Sequence, residues 1–113
     1  MSDCLFCRIV EGSLPARIVH RDEHCTAFWD IRPQAPTHLL IVPNRHLDGL
    51  DAAQAEDEAL LGRLLLTAAR LAERMGLERG YRVVINTGRE AGQSVFHLHL
   101  HLLGGRPLGW PPG

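Results

Sequence analysis

Apolar positions along this chain keep changing rhythm, and each change marks an element. Leu5, Phe6, Ile9 and Val10 have the spacing of one helical face, and Gly12-Ser13-Leu14-Pro15 ends that short helix. Residues 17–20 and 25–29 are rich in β-formers and flank the polar Arg21-Asp22-Glu23-His24, which predicts a hairpin. Pro33 and Pro36 force a loop. Residues 37–42 then read as a third strand, stopped by Pro43, which has no N–H to give to a ladder. Asp51 and Gln54 have the spacing of a helix N-cap and its capping-box partner, and Gly76 supplies a left-handed stop. Between them Leu61, Leu64, Leu65, Ala68, Ala72 and Met75 recur at steps of three and four, predicting one long helix packed on a sheet. Residues 81–87 and 95–103 complete the sheet, joined by the glycine-bearing loop 88–94. The expected organisation is one α+β domain over residues 1–113, with no internal repeat or linker.

Composition narrows the function. Apolar residues make up 45% of the 113 and charged residues 22%, enough for one globular core and too apolar for disorder. The formal net charge of -1 provides no strong basic field, so nucleic acid is excluded as the main partner. No leader-like segment and no apolar run of membrane-spanning length is present, so a cytoplasmic protein without membrane attachment is expected. Three cysteines do not make a disulfide framework. Cys4-x-x-Cys7 points instead to metal or redox chemistry.

The sharpest signal is His97-Leu98-His99-Leu100-His101-Leu102. On a strand this alternation puts three imidazoles on one face and three leucines on the other. Alternate residues lie about 6.6 Å apart, so the rings span about 13 Å and cannot all bind one small ion. A row of distinct roles is therefore expected. A neutral imidazole, with an ordinary pKa of about 6.5, is a usable nucleophile near neutral pH. His99, supported from both sides, is the candidate, and His38 on another strand is expected to face the same cavity.

These histidines resemble the signature of the histidine triad (HIT) proteins. The likeness extends to Trp29-Asp30-Ile31-Arg32-Pro33-Gln34-Ala35-Pro36-Thr37-His38, to Gly92-Gln93-Ser94-Val95-Phe96, and to Gly104-Gly105-Arg106 with Trp110-Pro111-Pro112-Gly113, which look like the Hint branch. The resemblance implies a five-stranded antiparallel sheet with one long and one or two short helices, paired into a ten-stranded sheet in a homodimer. It also implies purine nucleoside phosphoramidase or related nucleotidyl hydrolase activity that needs no cofactor for its chemistry. His99 would attack the α-phosphorus and form a nucleotidyl-histidine. His101 would contact the phosphate, and His97 and His38 would support the nucleophile. Gln93 and Ser94 would bond phosphate oxygens and the departing amine, with Asn86 on the phosphate side. Asp30 would take the ribose hydroxyls, and Leu5, Phe6, Phe28 and Ile31 would form the base slot. Trp110 would reach the partner subunit's site. Relatives in the branch often carry a histidine just before that tryptophan, where this chain has Gly109, which bears on leaving-group preference.

In bacterial-type members of the wider family, a histidine after the third strand and the first triad histidine join a cysteine pair on structural zinc. Here that set is Cys4, Cys7, His46 and His97. Two other functions fit the residues: a metal-dependent hydrolase built on the His97-x-His99 pair with His38 or His101, and a dimeric nucleotide-binding or regulatory module with incidental turnover.

Overall fold

The computed structural model describes residues 3–113, so the part of the leader reading that rests on Met1 and Ser2 lies outside the described residues. The chain runs α1 (Leu5–Glu11), β1 (Ile18–Arg21), β2 (Cys25–Trp29), β3 (Thr37–Pro43), α2 (Glu58–Arg74), β4 (Tyr81–Val84) and β5 (Leu100–Gly104), with short 3-10 turns at Leu50–Ala52, Ala55–Asp57 and Arg89–Ala91. The strands form one sheet in the order β1-β2-β3-β5-β4, and every neighbouring pair is antiparallel. This is the expected five-stranded sheet with one long helix.

The two helices cover opposite faces of that sheet, because strand side chains alternate between its faces. Leu39 and Ile41 of β3 and Leu100 and Leu102 of β5 share a fully buried core with Leu64, Ala68, Leu71 and Ala72 of α2. On the other face Leu40 and Val42 of β3 and Phe28 of β2 pack with Phe6 and Ile9 of α1. Helix α1 is closed at one end by Cys4, whose sulfur accepts the Cys7 N–H at 3.4 Å. At the other end Gly12 adopts φ 88°, which its missing Cβ permits.

Three predicted boundaries move by more than one residue. Helix α2 begins at Glu58 rather than near Asp51, which sits in a 3-10 turn without a side-chain cap. The capping box joins Gln54 to Asp57: the buried Asp57 carboxylate takes the Gln54 N–H at 2.8 Å and an ion pair with Arg45. Leu65 is 51% exposed, one helical step off the buried stripe, which instead includes Thr67 and Leu71. Strand β5 starts at Leu100, not at residue 95. Its partner β3 ends at Pro43, whose carbonyl is taken by the His97 ring, and the Leu98 N–H turns to the Leu47 carbonyl at 2.7 Å. Only His101 of the three histidines therefore lies within the strand; His97 and His99 lie on the segment leading into it. Strand β4 stops at Val84, opposite His101, and does not extend to residue 87.

Candidate active site

The histidines gather on the α1 side of the sheet and divide into two linked groups. In the first, His38 on β3 and His101 on β5 meet Nε2 to Nδ1 at 2.9 Å, and Asp30, just after β2, lies 3.4 Å from His38 Nε2. In the second, His97 joins Cys4, Cys7 and His46. His99 stands between them, its ring 5.0 Å from that of His101 and edge-on to Phe6 at 5.1 Å; Phe6 also meets the His97 ring at 6.0 Å.

Partner chemistry fixes which nitrogen of each ring carries the proton. A backbone N–H only donates, so His38 Nδ1 accepts from Gln34 N at 3.0 Å and its proton sits on Nε2. That N–H donates to His101 Nδ1, so His101 carries its own proton on Nε2. A carbonyl only accepts, so His99 Nδ1 donates to the His97 carbonyl at 2.7 Å. In the neutral ring the lone pair is then on Nε2, which has no hydrogen-bond partner among the described residues. By the same logic His97 Nε2 donates to the Pro43 carbonyl at 2.9 Å, and its Nδ1 is an acceptor aimed at the cysteines.

The surroundings of three of these rings, His38, His97 and His101, favour the neutral form. Burial pushes His38 and His97 below the ordinary histidine value, against the pull of Asp30 on the first and of the Pro43 bond on the second. His101 is lowered to about 4, by burial first and then by His99 and His38 beside it.

Four donors converge in the second group. His97 Nδ1 lies 3.3 Å from Cys4 Sγ, 3.4 Å from Cys7 Sγ and 3.1 Å from His46 Nδ1, and Cys7 Sγ lies 3.2 Å from His46 Nδ1. His46 Nε2 donates to Asp48 at 2.8 Å, so both facing Nδ1 atoms are acceptors. Nothing on either ring can occupy the space between them; thiol protons or a cation can. Tetrahedral zinc with two sulfur and two nitrogen ligands holds its donors about 3.3 to 3.8 Å apart, from bond lengths of about 2.0 to 2.3 Å. Those four separations come within a few tenths of an ångström of that range, and each imidazole is already oriented through its other nitrogen.

Other candidates are placed differently. Gln93 is 4% exposed, and its amide is spent on the chain itself: Oε1 accepts Gly88 N–H at 2.9 Å, while Nε2 donates to the carbonyls of Asp48 at 2.7 Å and Val95 at 3.2 Å. In this arrangement the amide ties the 88–94 loop to the chain at Asp48. The His97 and His99 rings aim at different partners, and no three-donor group among the described residues contains both. Ser94 is exposed at the end of its loop, and Asn86 is half-buried. Phe6 and Phe28 touch edge-on at 5.5 Å within the core, whereas Leu5 and Ile31 are exposed at the surface. Asp30 Oδ1 takes the Arg32 N–H at 2.8 Å. Trp110 is exposed in a tail held by Arg82, which donates to the Gly109 carbonyl at 2.6 Å. The orienting groups at Gln34 N, the Pro43 and His97 carbonyls and Asp48 carried no sequence signal, three of them being backbone atoms.

A HIT domain model matches residues 11–108. A HIT-like protein of Synechocystis sp. is 53% identical over 111 residues, 98% of this chain and 97% of that protein. The crystal structure of a HIT family hydrolase from Legionella pneumophila superposes with a TM-score of 0.97 at 51% identity, covering 98% of this chain and all of that one. A histidine triad nucleotide-binding protein from Candida albicans is similar at a TM-score of 0.83 and 31% identity, over 96% of this chain and 83% of its own. The chain belongs to the HIT family.

Proposed function

We propose that this chain is a nucleotide hydrolase that splits purine nucleoside 5'-phosphoramidates, or related AMP and GMP conjugates, through a nucleotidyl-histidine intermediate on His99. One observation carries the reading: the His99 Nδ1–H bond to the His97 carbonyl, which leaves Nε2 as an open lone pair beside a ring that offers an N–H. His99 Nε2 attacks the α-phosphorus and bonds to it, the substrate's P–N bond breaks, and the departing amine takes up a proton from solvent. Water then attacks the phosphorus and gives a proton back to solvent, the P–N bond to His99 breaks, and nucleoside monophosphate leaves with the histidine restored. His101 Nε2–H and the Ser94 hydroxyl bond phosphate oxygens as charge builds there. Asp30 receives the ribose hydroxyls with its remaining acceptor capacity, Asn86 lies on the phosphate side, and Leu5, Phe6, Phe28 and Ile31 form the base slot. The hydrolase named from Legionella and the nucleotide-binding protein named from Candida support this assignment.

Cys4, Cys7, His46 and His97 hold zinc in this reading. Four protein ligands leave no open position, so the ion supplies rigidity rather than an activated water. The protein works as a homodimer with a ten-stranded sheet. Of the two sheet edges, β1 carries a register shift between Ile18 and His20 that spoils it for pairing, whereas β4 pairs with β5 without one. Trp110 then extends toward the partner's site. A reducing cytoplasm would keep Cys4 and Cys7 as thiols for the metal; among the described residues no helix is long and apolar enough to cross a membrane.

Hydrolysis of adenosine 5'-phosphoramidate by the purified protein and by His99→Ala tests the reading. Turnover by the parent, with turnover lost but nucleotide binding kept in the variant, is expected. Equal rates would sink the covalent mechanism, and binding without turnover by either protein would leave a binding module.

A further inference from the structure

The four-donor cluster and the nucleophile share an atom path too short to be incidental. The carbonyl that fixes the His99 proton on Nδ1, at 2.7 Å, belongs to His97, the residue whose ring the cluster grips. That ring is fully buried and held at both ends, by the Pro43 carbonyl at Nε2 and by the cysteine sulfurs at Nδ1. Two further routes run in parallel. Phe6 sits between Cys4 and Cys7 in α1, so the helical turn that brings the sulfurs to His97 also presses the Phe6 ring edge-on against His99. On the far side His46 bonds Asp48, whose carbonyl takes the Gln93 amide, and Gln93 also binds Gly88 N–H and the Val95 carbonyl, in the loop that carries Ser94.

We propose that Cys4, Cys7, His46 and His97 form a positioning device for the nucleophile: what fills the cluster sets where the His97 carbonyl lies, and so which nitrogen of His99 carries the proton. This rests on the zinc and nucleophile readings above and extends them. Loaded, the cluster keeps His97 in one place and His99 Nε2 bare. Emptied, the His97 ring is held by thiol hydrogen bonds and the Pro43 carbonyl alone, the carbonyl at His99 loosens, and the imidazole exchanges between its two neutral tautomers. His97, Phe6 and Gln93 are thus positioning residues, acting on the reaction through His99 and its loop.

The test uses the full chain labelled with 15N at histidine, loaded with zinc and then stripped by chelator, with zinc content measured by elemental analysis in both states. The His99 ring nitrogens are identified by their disappearance in His99→Ala. In the loaded protein one His99 nitrogen is expected to read as fully protonated and the other as bare. In the stripped protein the two are expected to move toward a common average. Adenosine 5'-phosphoramidate turnover should then show kcat falling by about 10- to 100-fold, with KM changed by less than about twofold. If the stripped protein unfolds, cadmium, a larger thiophilic ion, replaces zinc and the same two nitrogens are expected to shift. His99 nitrogens and kcat identical in every metal state would overturn the proposal. Failure to bind zinc would overturn the metal reading and this inference with it. A loaded protein that does not hydrolyse the substrate would overturn the catalytic reading alone, while the tautomer measurement still decides the positioning claim.

Discussion

Replacing His38 by alanine removes the N–H that His101 Nδ1 accepts, so the His101 proton becomes free to sit on the wrong nitrogen. Turnover by His38→Ala is expected to fall by up to about 100-fold, short of the loss in His99→Ala, since proton donation by a placed side chain contributes about 10² to 10⁴. Steady-state kinetics check this; an unchanged kcat would remove His38 from the chain of donors. The same rings set a pH dependence. His101 is held near 4, and His38 and His97 are also pushed down, whereas unfolded histidines titrate near 6.5. The unfolded chain therefore binds more protons than the native one in this window, so stability is flat above about pH 6.5 and falls as pH drops toward 4. Asp22 and Asp57, both held below the usual carboxylate range, add their losses only at more acid pH. Urea midpoints at pH 7 and pH 5 measure the effect, and a higher midpoint at pH 5 would contradict it. At this scale the sequence carried the residue types and their alternation, which is why the histidines, Asp30 and the cysteine pair were readable. It did not carry the tautomers, because those depend on Gln34 N and on two carbonyls that every residue type possesses. Nor did it carry the three backbone partners of the Gln93 amide, for the same reason.

Elements were legible where one periodicity dominated and shifted where a local contact overrode it. Leu64 and Leu65 are neighbours in sequence but lie at 0% and 51% exposure, which fixes the rotation of α2 on the sheet. Leu64→Ala is expected to cost about 2 to 5 kcal/mol in chemical denaturation, and Leu65→Ala less than about 0.5 kcal/mol. A loss at Leu65 as large as at Leu64 would mean that this face of α2 is covered. The start of α2 was misplaced because Asp51 with Gln54, and Gln54 with Asp57, have the same three-residue spacing; Arg45, twelve residues before Asp57, decides between them. The last strand was drawn too long for a similar reason. Leucine and histidine alternate straight through residues 97–102, but Pro43 ends the partner strand and the chain leaves the ladder where His97 turns to the cysteines. The alternation kept the leucines in the core and the histidines on the other face, while the break separated His97 from the other two.

At the scale of the whole molecule, the open edge at β4 and the four-donor cluster each make a prediction. Sedimentation at working concentration is expected to give a dimer; a monomer would remove the ten-stranded sheet and the role of Trp110 in its partner. Elemental analysis of freshly purified protein is expected to give one zinc per chain, and Cys7→Ser to lose most of it; zinc-free parent protein would leave the cluster as a hydrogen-bonded pair of thiols and imidazoles. Fold and family were both readable from sequence because the signature spans separated stretches of the chain, whereas the pairing edge lies in strand order, which no local pattern states. The central claim is that His99 Nε2 is the attacking atom. Rapid alkaline quench of the protein with adenosine 5'-phosphoramidate, which spares the acid-labile phosphorus–imidazole bond, followed by mass spectrometry of its peptides at alkaline pH, tests it most directly: one nucleotidyl group on the peptide carrying His99, and none in His99→Ala, is the predicted result. Turnover at full rate with no labelled histidine peptide would contradict the account.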